Sequence, residues 1–307
     1  MDSSWDCIVV GGGAAGLSAA LVLGRARQNA LVVDAGKPSN APAHGIGGLL
    51  GHDGRPPADF YAAGRAELAA YPSVELRSGE VEGGERDDVS FALELADGSR
   101  EVARRVLLAT GMDYRYPALP GIAERWGRSV FHCPFCHGWE VRDRPLGVLD
   151  RGPTGAGRAL LLRRWSDDVT MFSNGPAELD APDRDRLTAA GVTVDERDVA
   201  ELRGPDSALT VAFTDESERA CGGLLVPVTL HQRTGLAEQL GALTGPGPLA
   251  VDAVQIDATF GTSVPGLFAA GDVSSPMPSV ANAVATGNSA AAMLVHGLTA
   301  EAPGTTG

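Results

Sequence analysis

The sequence predicts an α/β protein built as two Rossmann-like three-layer domains, the second inserted into a discontinuous first. Three observations predict it. A short apolar strand, Cys7 to Val10, runs into the glycine cluster Gly11-Gly12-Gly13-Ala14-Ala15-Gly16, and helical periodicity and a further strand follow. A second strand-helix-strand unit recurs from Leu146 to Phe172. Near the C-terminus, Val264 to Asp272 and a helix from Ser279 read as a return to the first domain. The expected division is 1–117 with 246–307 for the first domain and 118–245 for the inserted one.

The elements follow in order. Leu17 to Arg27 carries an apolar helical pattern, and Ala30 to Val33 is a strand ending on Asp34. Lys37 to Pro57, rich in Gly, Pro and His, is a loop expected over a ligand site, and Ala58 to Tyr71 returns to helical spacing. From Val74 to Val106, alternation with turns at Gly83-Gly84 and Asp97-Gly98 predicts a small antiparallel sheet, closed by the buried strand Val106 to Gly111. Arg115 to Gly121, with two prolines, is the crossover. In the second domain, Leu146 to Asp150, a helix after Gly157 and Val169 to Phe172 form the nucleotide-type unit, and Val192 to Phe213 alternates beside it.

Composition bounds the function. The 307 residues suit roughly two domains at ~100 to 200 residues each. A formal charge of −14 repels nucleic acid and anionic lipid surfaces, so neither is an expected partner. No signal-peptide pattern follows Met1, and the apolar stretch Ser279 to Leu298 contains Asn282, Thr286, Asn288 and Ser289, which reads as a buried helix; a cytoplasmic location is expected. The four cysteines, Cys7, Cys133, Cys136 and Cys221, are too few and scattered for a secreted disulfide scaffold, so the close pair points to chemistry.

Gly11-x-Gly13-x-x-Gly16 lies between strand and helix, with Asp34 at the end of the next strand, and that context carries a dinucleotide site. Gly11 permits a tight turn, Gly13 a close approach of the pyrophosphate, and Gly16 close helix packing; the Ala14 and Ala15 amides open the helix towards the phosphates. Asp34 is placed to accept ribose hydroxyls. These features leave NAD and FAD both open.

Phe131-His132-Cys133-Pro134-Phe135-Cys136-His137-Gly138 puts two thiols three positions apart at the start of a helix, where the helix terminus and an imidazole favour a thiolate and thiol–disulfide exchange. Zinc is the competing reading, but no second cysteine pair completes four ligands, and no metal is expected. Cys7 and Cys221 read as structural. His137 would serve as general base for an incoming thiol and general acid for a departing one, or alternatively only cap the helix. His44 and His52 are candidates for the substrate entrance, and Arg233 has no assigned role.

The inserted domain should carry a second dinucleotide site, and its motif is damaged. Aligned on Ala159 to Leu162, the three glycine positions hold Asp150, Gly152 and Gly155. A carboxylate there repels a pyrophosphate, and Pro153 removes an amide. A register using Gly155 and Gly157 would force Gly152-Pro153 into the strand. At the end of the next strand stands Ser173-Asn174-Gly175, with no basic cluster for a 2′-phosphate.

The run Val264 to Asp272, ending Ala270-Gly271-Asp272, and Ala109-Thr110-Gly111 resemble signatures of the flavoprotein pyridine-nucleotide-disulfide oxidoreductases. That resemblance implies FAD in the first domain, with Asp272 near its ribityl chain. The place of the cysteine pair resembles low-molecular-weight thioredoxin reductases over nearly the whole chain. It implies a homodimer, Cys136 as the flavin-proximal thiol and Cys133 as the interchange thiol. Those reductases carry an acidic residue after the pair, where this chain has His137. The Cys-Pro-Phe-Cys-His-Gly string and the missing basic cluster are similar to the dithiol oxidases of disulfide natural products such as holomycin and gliotoxin. This resemblance implies a small dithiol substrate and dioxygen as acceptor, giving hydrogen peroxide. Two alternatives stand: a thioredoxin reductase with a thioredoxin partner, drawing weakly on NADPH or on ferredoxin, and an FAD-bound redox sensor without turnover.

Overall fold

Cys7, Ile8, Val9 and Val10 are all buried in β1 (Trp5–Val10), the central strand that the apolar run predicts. The computed structural model describes residues 5–300. Helix α1 (Ala14–Arg25) leaves the glycine turn, and β2 (Ala30–Asp34) returns parallel to β1. Helix α2 (Pro57–Leu68) crosses to β3 (Val74–Ser78), which pairs parallel with β2. The expected antiparallel sheet therefore starts only after β3, because a helical crossover of this length delivers a parallel neighbour. It comprises β4 (Val81–Arg86), β5 (Phe91–Leu95) and β6 (Arg100–Leu108).

Gly83-Gly84 is not a turn. Both glycines lie in β4 beside a register shift, and a Cβ on Gly84 would stand 2.6 Å from Leu93 and 3.2 Å from Leu240. The hairpin instead turns at Asp87, whose carboxylate accepts the amides of Val89 and Ser90 at 2.8 and 2.6 Å. The expected turn at Asp97-Gly98 is present, with Gly98 at φ +82°. Strand β7 (Met112–Arg115) closes this stretch.

In the second unit, β8 (Val130–Phe131) precedes a single helical turn, α3 (Pro134–His137). Next come β9 (Leu146–Leu149), α4 (Gly152–Leu162), β10 (Val169–Phe172), α5 (Ala181–Ala189) and β11 (Val192–Asp195). With β15 (Gly223–Leu225), they make a parallel sheet in the order β11-β10-β9-β15-β8. The alternating stretch 192–213 divides: β11 joins that sheet, while β12 (Val199–Arg203), β13 (Leu209–Phe213) and β14 (Glu218–Cys221) form a separate antiparallel sheet. One sheet face buries Leu146, Val148 and Met171 against Ala159 and Leu162 of α4; the other buries Leu149 and Phe172 against Leu202, Val211 and Phe213. Alternation across the strands produces these three layers.

After β16 (Thr229–Gln232), which pairs with β7, come α6 (Leu236–Gln239), the short strands β17 (Thr244–Gly245) and β18 (Ala253–Val254), β19 (Leu267–Ala269) and α7 (Val280–Ala300). Strand β19 pairs parallel with β6, completing a seven-stranded sheet. Cys7, Val9, Val32 and Leu107 on one face of that sheet share a core with Ala19 and Leu23 of α1 and Ala290, Ala291 and Leu294 of α7. Among the described residues no helix is long and apolar enough to cross a membrane.

Two compact units result: one of the described residues up to Ala41, Pro57–Tyr114 and from Thr229 onward, the other of Pro42–Pro56 and Arg115–Val228. The divisions fall at 114/115 and 228/229 rather than at 117/118 and 245/246, because β16 pairs with β7 of the first unit. The loop 42–56 groups with the second unit, which its position between α1 and α2 does not suggest.

Candidate functional site

Gly11 shows why the first dinucleotide turn needs glycine. Its φ is +108°, and a Cβ would run into the Ala109 carbonyl, so Ala109-Thr110-Gly111 and the glycine turn are packed backbone to backbone. A side chain at Gly16 would strike the Gly11 carbonyl. Gly13, at the N-terminus of α1, is different: nothing lies within 4 Å of where its Cβ would be, and no side chain caps the helix there. The amide-bearing end of α1, with Ala14 and Ala15 as its first residues, thus borders space that a pyrophosphate would fill.

Asp34 lies over the same turn. Its Oδ1 accepts the amides of Gly12 at 3.3 Å and Gly36 at 2.9 Å, and its Oδ2 accepts Arg65 at 2.7 Å. Three acceptor positions are used, so a carboxylate with about four leaves one for a ribose hydroxyl. A cleft of about 520 Å³ opens beside it, lined by Asp34, Gly36, Arg65, Ser78, Gly79 and Glu80 at the ends of β2 and β3. Arg65 was not foreseen; a lone arginine in a helix gives no sequence signal.

Asp272 follows β19, in the turn Gly271–Val273, with Gly271 at φ +79° and its amide donating to Thr286 Oγ1 at 3.1 Å. Tyr114 Oη donates to Asp272 Oδ2 at 2.9 Å. Burial pushes the Asp272 carboxyl up, and the Tyr114 bond and the Arg233 charge pull it back. Arg233 acquires a place: it donates to the Lys37 carbonyl at 2.5 Å, Ser39 Oγ at 2.9 Å and the Met112 carbonyl at 3.2 Å. An open phosphate cradle, a ribose acceptor with a free lone pair and a buried carboxylate at the strand end fit a flavin dinucleotide.

In the second unit, Cys133 and Cys136 form a disulfide with Cα atoms 5.4 Å apart. Cys133 is the N-cap of α3, Pro134 its first residue and Cys136 its third, so the pair spans the start of one helical turn. His137 Nε2 lies 3.0 Å from the Gly127 carbonyl. A carbonyl only accepts, so Nε2 carries the proton and Nδ1 bears the lone pair. Nδ1 is buried with no hydrogen-bond partner, and the ring stacks on Phe131 at 5.5 Å and 8°. Burial lowers the His137 pKa, against the pull of the Gly127 carbonyl, the Glu140 charge and the Cys133 carbonyl. The lowered pKa favours the neutral ring, whose buried Nδ1 carries the lone pair.

His132 stacks on Trp126 at 5.8 Å, and burial lowers its pKa to about 4, with the His137 charge adding. As pH falls below 6.5, the unfolded chain takes up this proton first, so folded stability is lost progressively down to about pH 4. The loss is about 3 kcal/mol at ~1.4 kcal/mol per pKa unit. Urea unfolding of wild type and His132→Phe at pH 7 and 4.5 should show a drop smaller by about 2 kcal/mol in the variant; equal drops would refute the assignment.

Cys7 and Cys221 are buried, and burial pushes both thiols up, Cys221 to about 12. Neither is poised to react.

The second dinucleotide turn is built and then filled. A Cβ on Gly155 would stand 2.9 Å from the Asp150 carbonyl carbon, repeating the packing of Gly16 on Gly11, so Asp150, Gly152 and Gly155 occupy the three glycine positions. Helix α4 accordingly starts at Gly152, not after Gly157. Asp150 is paired with Arg158, which mutes its repulsion of phosphate. The Gly152 amide donates to the Ala177 carbonyl at 2.8 Å, and Arg151 donates to the Asn174 carbonyl at 2.8 Å. The segment 174–178 thereby occupies the end of α4 that Gly13 leaves open in the first unit. Beyond β11 the arginines are engaged with acids: Arg197 with Asp195 at 2.5 Å, and Arg184 of α5 with Glu196 at 3.2 Å.

Comparison with known proteins agrees with this geometry. The thioredoxin reductase tcpT of Claviceps purpurea is 34% identical over 311 residues, 97% of this chain and 96% of its own. The crystal structure of HlmI is 40% identical with a TM-score of 0.90, over 98% of this chain and 95% of that one. An oxidoreductase from Agrobacterium tumefaciens is 37% identical with a TM-score of 0.92, over 98% of this chain and all of that one. The model of the pyridine nucleotide-disulphide oxidoreductases matches residues 5–287. With its cradle for FAD and its cysteine pair, the chain belongs to the pyridine nucleotide-disulphide oxidoreductases and is an FAD-dependent thiol–disulfide oxidoreductase.

Proposed function

We propose that the protein oxidises a small dithiol to its disulfide, with dioxygen as the final acceptor. The observation that carries this reading is the filled second seat. The Gly152 amide, counterpart of the open Gly13, is spent on the Ala177 carbonyl, and Arg184 and Arg197 are held by Glu196 and Asp195. With that entry closed to a nicotinamide coenzyme, electrons enter through sulfur.

The substrate thiol gives its proton to His137 Nδ1, and the thiolate attacks Cys133, breaking the Cys133–Cys136 bond and leaving Cys136 as thiolate. The second substrate thiol passes its proton to the Cys136 thiolate and attacks the mixed disulfide, releasing the cyclic product and Cys133 thiolate, to which His137 returns the first proton. The substrate has lost two electrons and the cysteine pair has gained them. FAD held in the first unit would supply the two-electron acceptor for that pair and its reaction with dioxygen, giving hydrogen peroxide. Gly11, Gly13, Gly16, Asp34 and Asp272 would hold it, with Ala14, Ala15, Ala109, Thr110, Gly111 and Gly271 shaping the seat. We place the enzyme in the cytoplasm as a homodimer, on the family likeness and the sequence.

Oxygen-electrode assays with dithiothreitol should show steady uptake and one hydrogen peroxide per disulfide. Thioredoxin reduction at the expense of NADPH, with no oxygen uptake from dithiothreitol, would replace this reading with a reductase. His137→Gln should slow exchange about 100-fold. Because the neutral ring is the active form, wild-type exchange falls as pH drops through a value below 6.5; the variant should lack this limb in stopped-flow exchange.

A further inference from the structure

The loop 42–56 has no role in the chemistry above, yet its shape is heavily determined. Ile46 is buried and pairs with Arg55: the Ile46 amide donates to the Arg55 carbonyl at 2.9 Å, and the Gly54 amide to the Ile46 carbonyl at 2.8 Å. Asp53 Oδ1 accepts the Gly48 amide at 2.8 Å. Gly48, Gly51 and Gly54 all take positive φ, between 74° and 81°. A loop with this many internal bonds holds one shape.

It touches the redox turn at two places. A Cβ on Gly47 would stand 2.5 Å from the Cys136 carbonyl oxygen and 3.1 Å from its Cα. A Cβ on Gly127 would stand 3.1 Å from Pro42 and 3.3 Å from the Ala43 amide nitrogen, and the Gly127 carbonyl holds the His137 ring. One contact is thus against the backbone of Cys136 and the other against the residue that orients His137. The first leaves no room for a side chain and the second is tighter than ordinary contact, so the loop and the turn fix each other's backbone.

We propose that the loop 42–56 is a brace that sets the geometry of the Cys133–Cys136–His137 turn, with Gly47 as its positioning residue. This rests on the thiol–disulfide chemistry proposed for the pair. A methyl at position 47 displaces the Cys136 backbone from the arrangement in which the disulfide is closed, and so favours the open dithiol.

The test is the equilibrium of the full-length, FAD-loaded protein with mixtures of reduced and oxidised dithiothreitol, with free thiols trapped and counted. Gly47→Ala should shift the pair about tenfold towards the dithiol, a rise of ~30 mV. Asp53→Ala, a surface change that only loosens the brace, should shift it the same way by about threefold; Asp53→Asn, which keeps the acceptor for the Gly48 amide, should titrate as wild type. Gly157→Ala, in open space on α4, should also leave the equilibrium unchanged. Should Gly47→Ala not fold, the two Asp53 variants decide. A wild-type titration onto which Gly47→Ala and Asp53→Ala both superimpose overturns the brace alone. A wild-type pair that dithiothreitol never reduces overturns the brace and the exchange chemistry together.

Discussion

Cys136→Ser abolishes dithiol oxidation by about a thousandfold or more, and Cys133→Ser does the same. The two sulfurs act as one group: either serine removes the disulfide that a substrate thiolate attacks, so no electron pair can be collected. The double variant should be no worse than either single one, as for residues that function as a unit. The flavin seat belongs to the other compact unit, so all three variants should purify yellow with unchanged absorbance. Oxygen uptake with saturating dithiol is the measurement. Turnover within tenfold of wild type in either single variant would refute the role of the pair, and loss of colour would show that the serine had acted on folding instead.

Anaerobic NADPH should leave the flavin absorbance unchanged on the timescale in which dithiothreitol bleaches it. Two missing guanidinium contacts to a 2′-phosphate forfeit about 1.5 to 3 kcal/mol each. Together, about 3 to 6 kcal/mol is a loss of ~10² to 10⁴ in affinity. The Ala177 carbonyl on the Gly152 amide adds to this, since a pyrophosphate would have to displace it. NADH lacks the 2′-phosphate and tests that second effect alone: it should bind as poorly as NADPH. Rapid bleaching by either coenzyme in a stopped-flow spectrophotometer would reverse the proposed direction of electron flow.

The sequence made the parallel units readable because their signals are local. Cys7 to Val10 is apolar throughout, the glycines follow at fixed spacing, and Asp34 closes the next strand; each is decided within a few residues. The Cys133–Cys136 pair and the register of Asp150, Gly152 and Gly155 were readable for the same reason. What escaped depends on contacts between distant segments. Gly83-Gly84 has turn composition, yet sits in β4, where Leu93 and Leu240 leave no room for a side chain on Gly84. Arg65 meets Asp34 only once α2 has crossed the sheet, and Tyr114 meets Asp272 across 158 positions. The return at Thr229 was placed too late because a four-residue strand carries little periodicity, and its pairing with β7 is what assigns it. The repulsion read from Asp150 left out Arg158, eight residues further on in α4, whose guanidinium pairs with that carboxylate.

The grouping of residues 42–56 with the second unit has a bearing on protein engineering. The module that owns the reactive sulfurs is encoded in two separate stretches, one of them buried in the coding region of its neighbour. A chimaera that swaps only 115–228 for the matching part of a relative would transplant the thiols without the residues that seat them, leaving a foreign loop against Cys136. Recombination breakpoints that respect the physics come in four, not two.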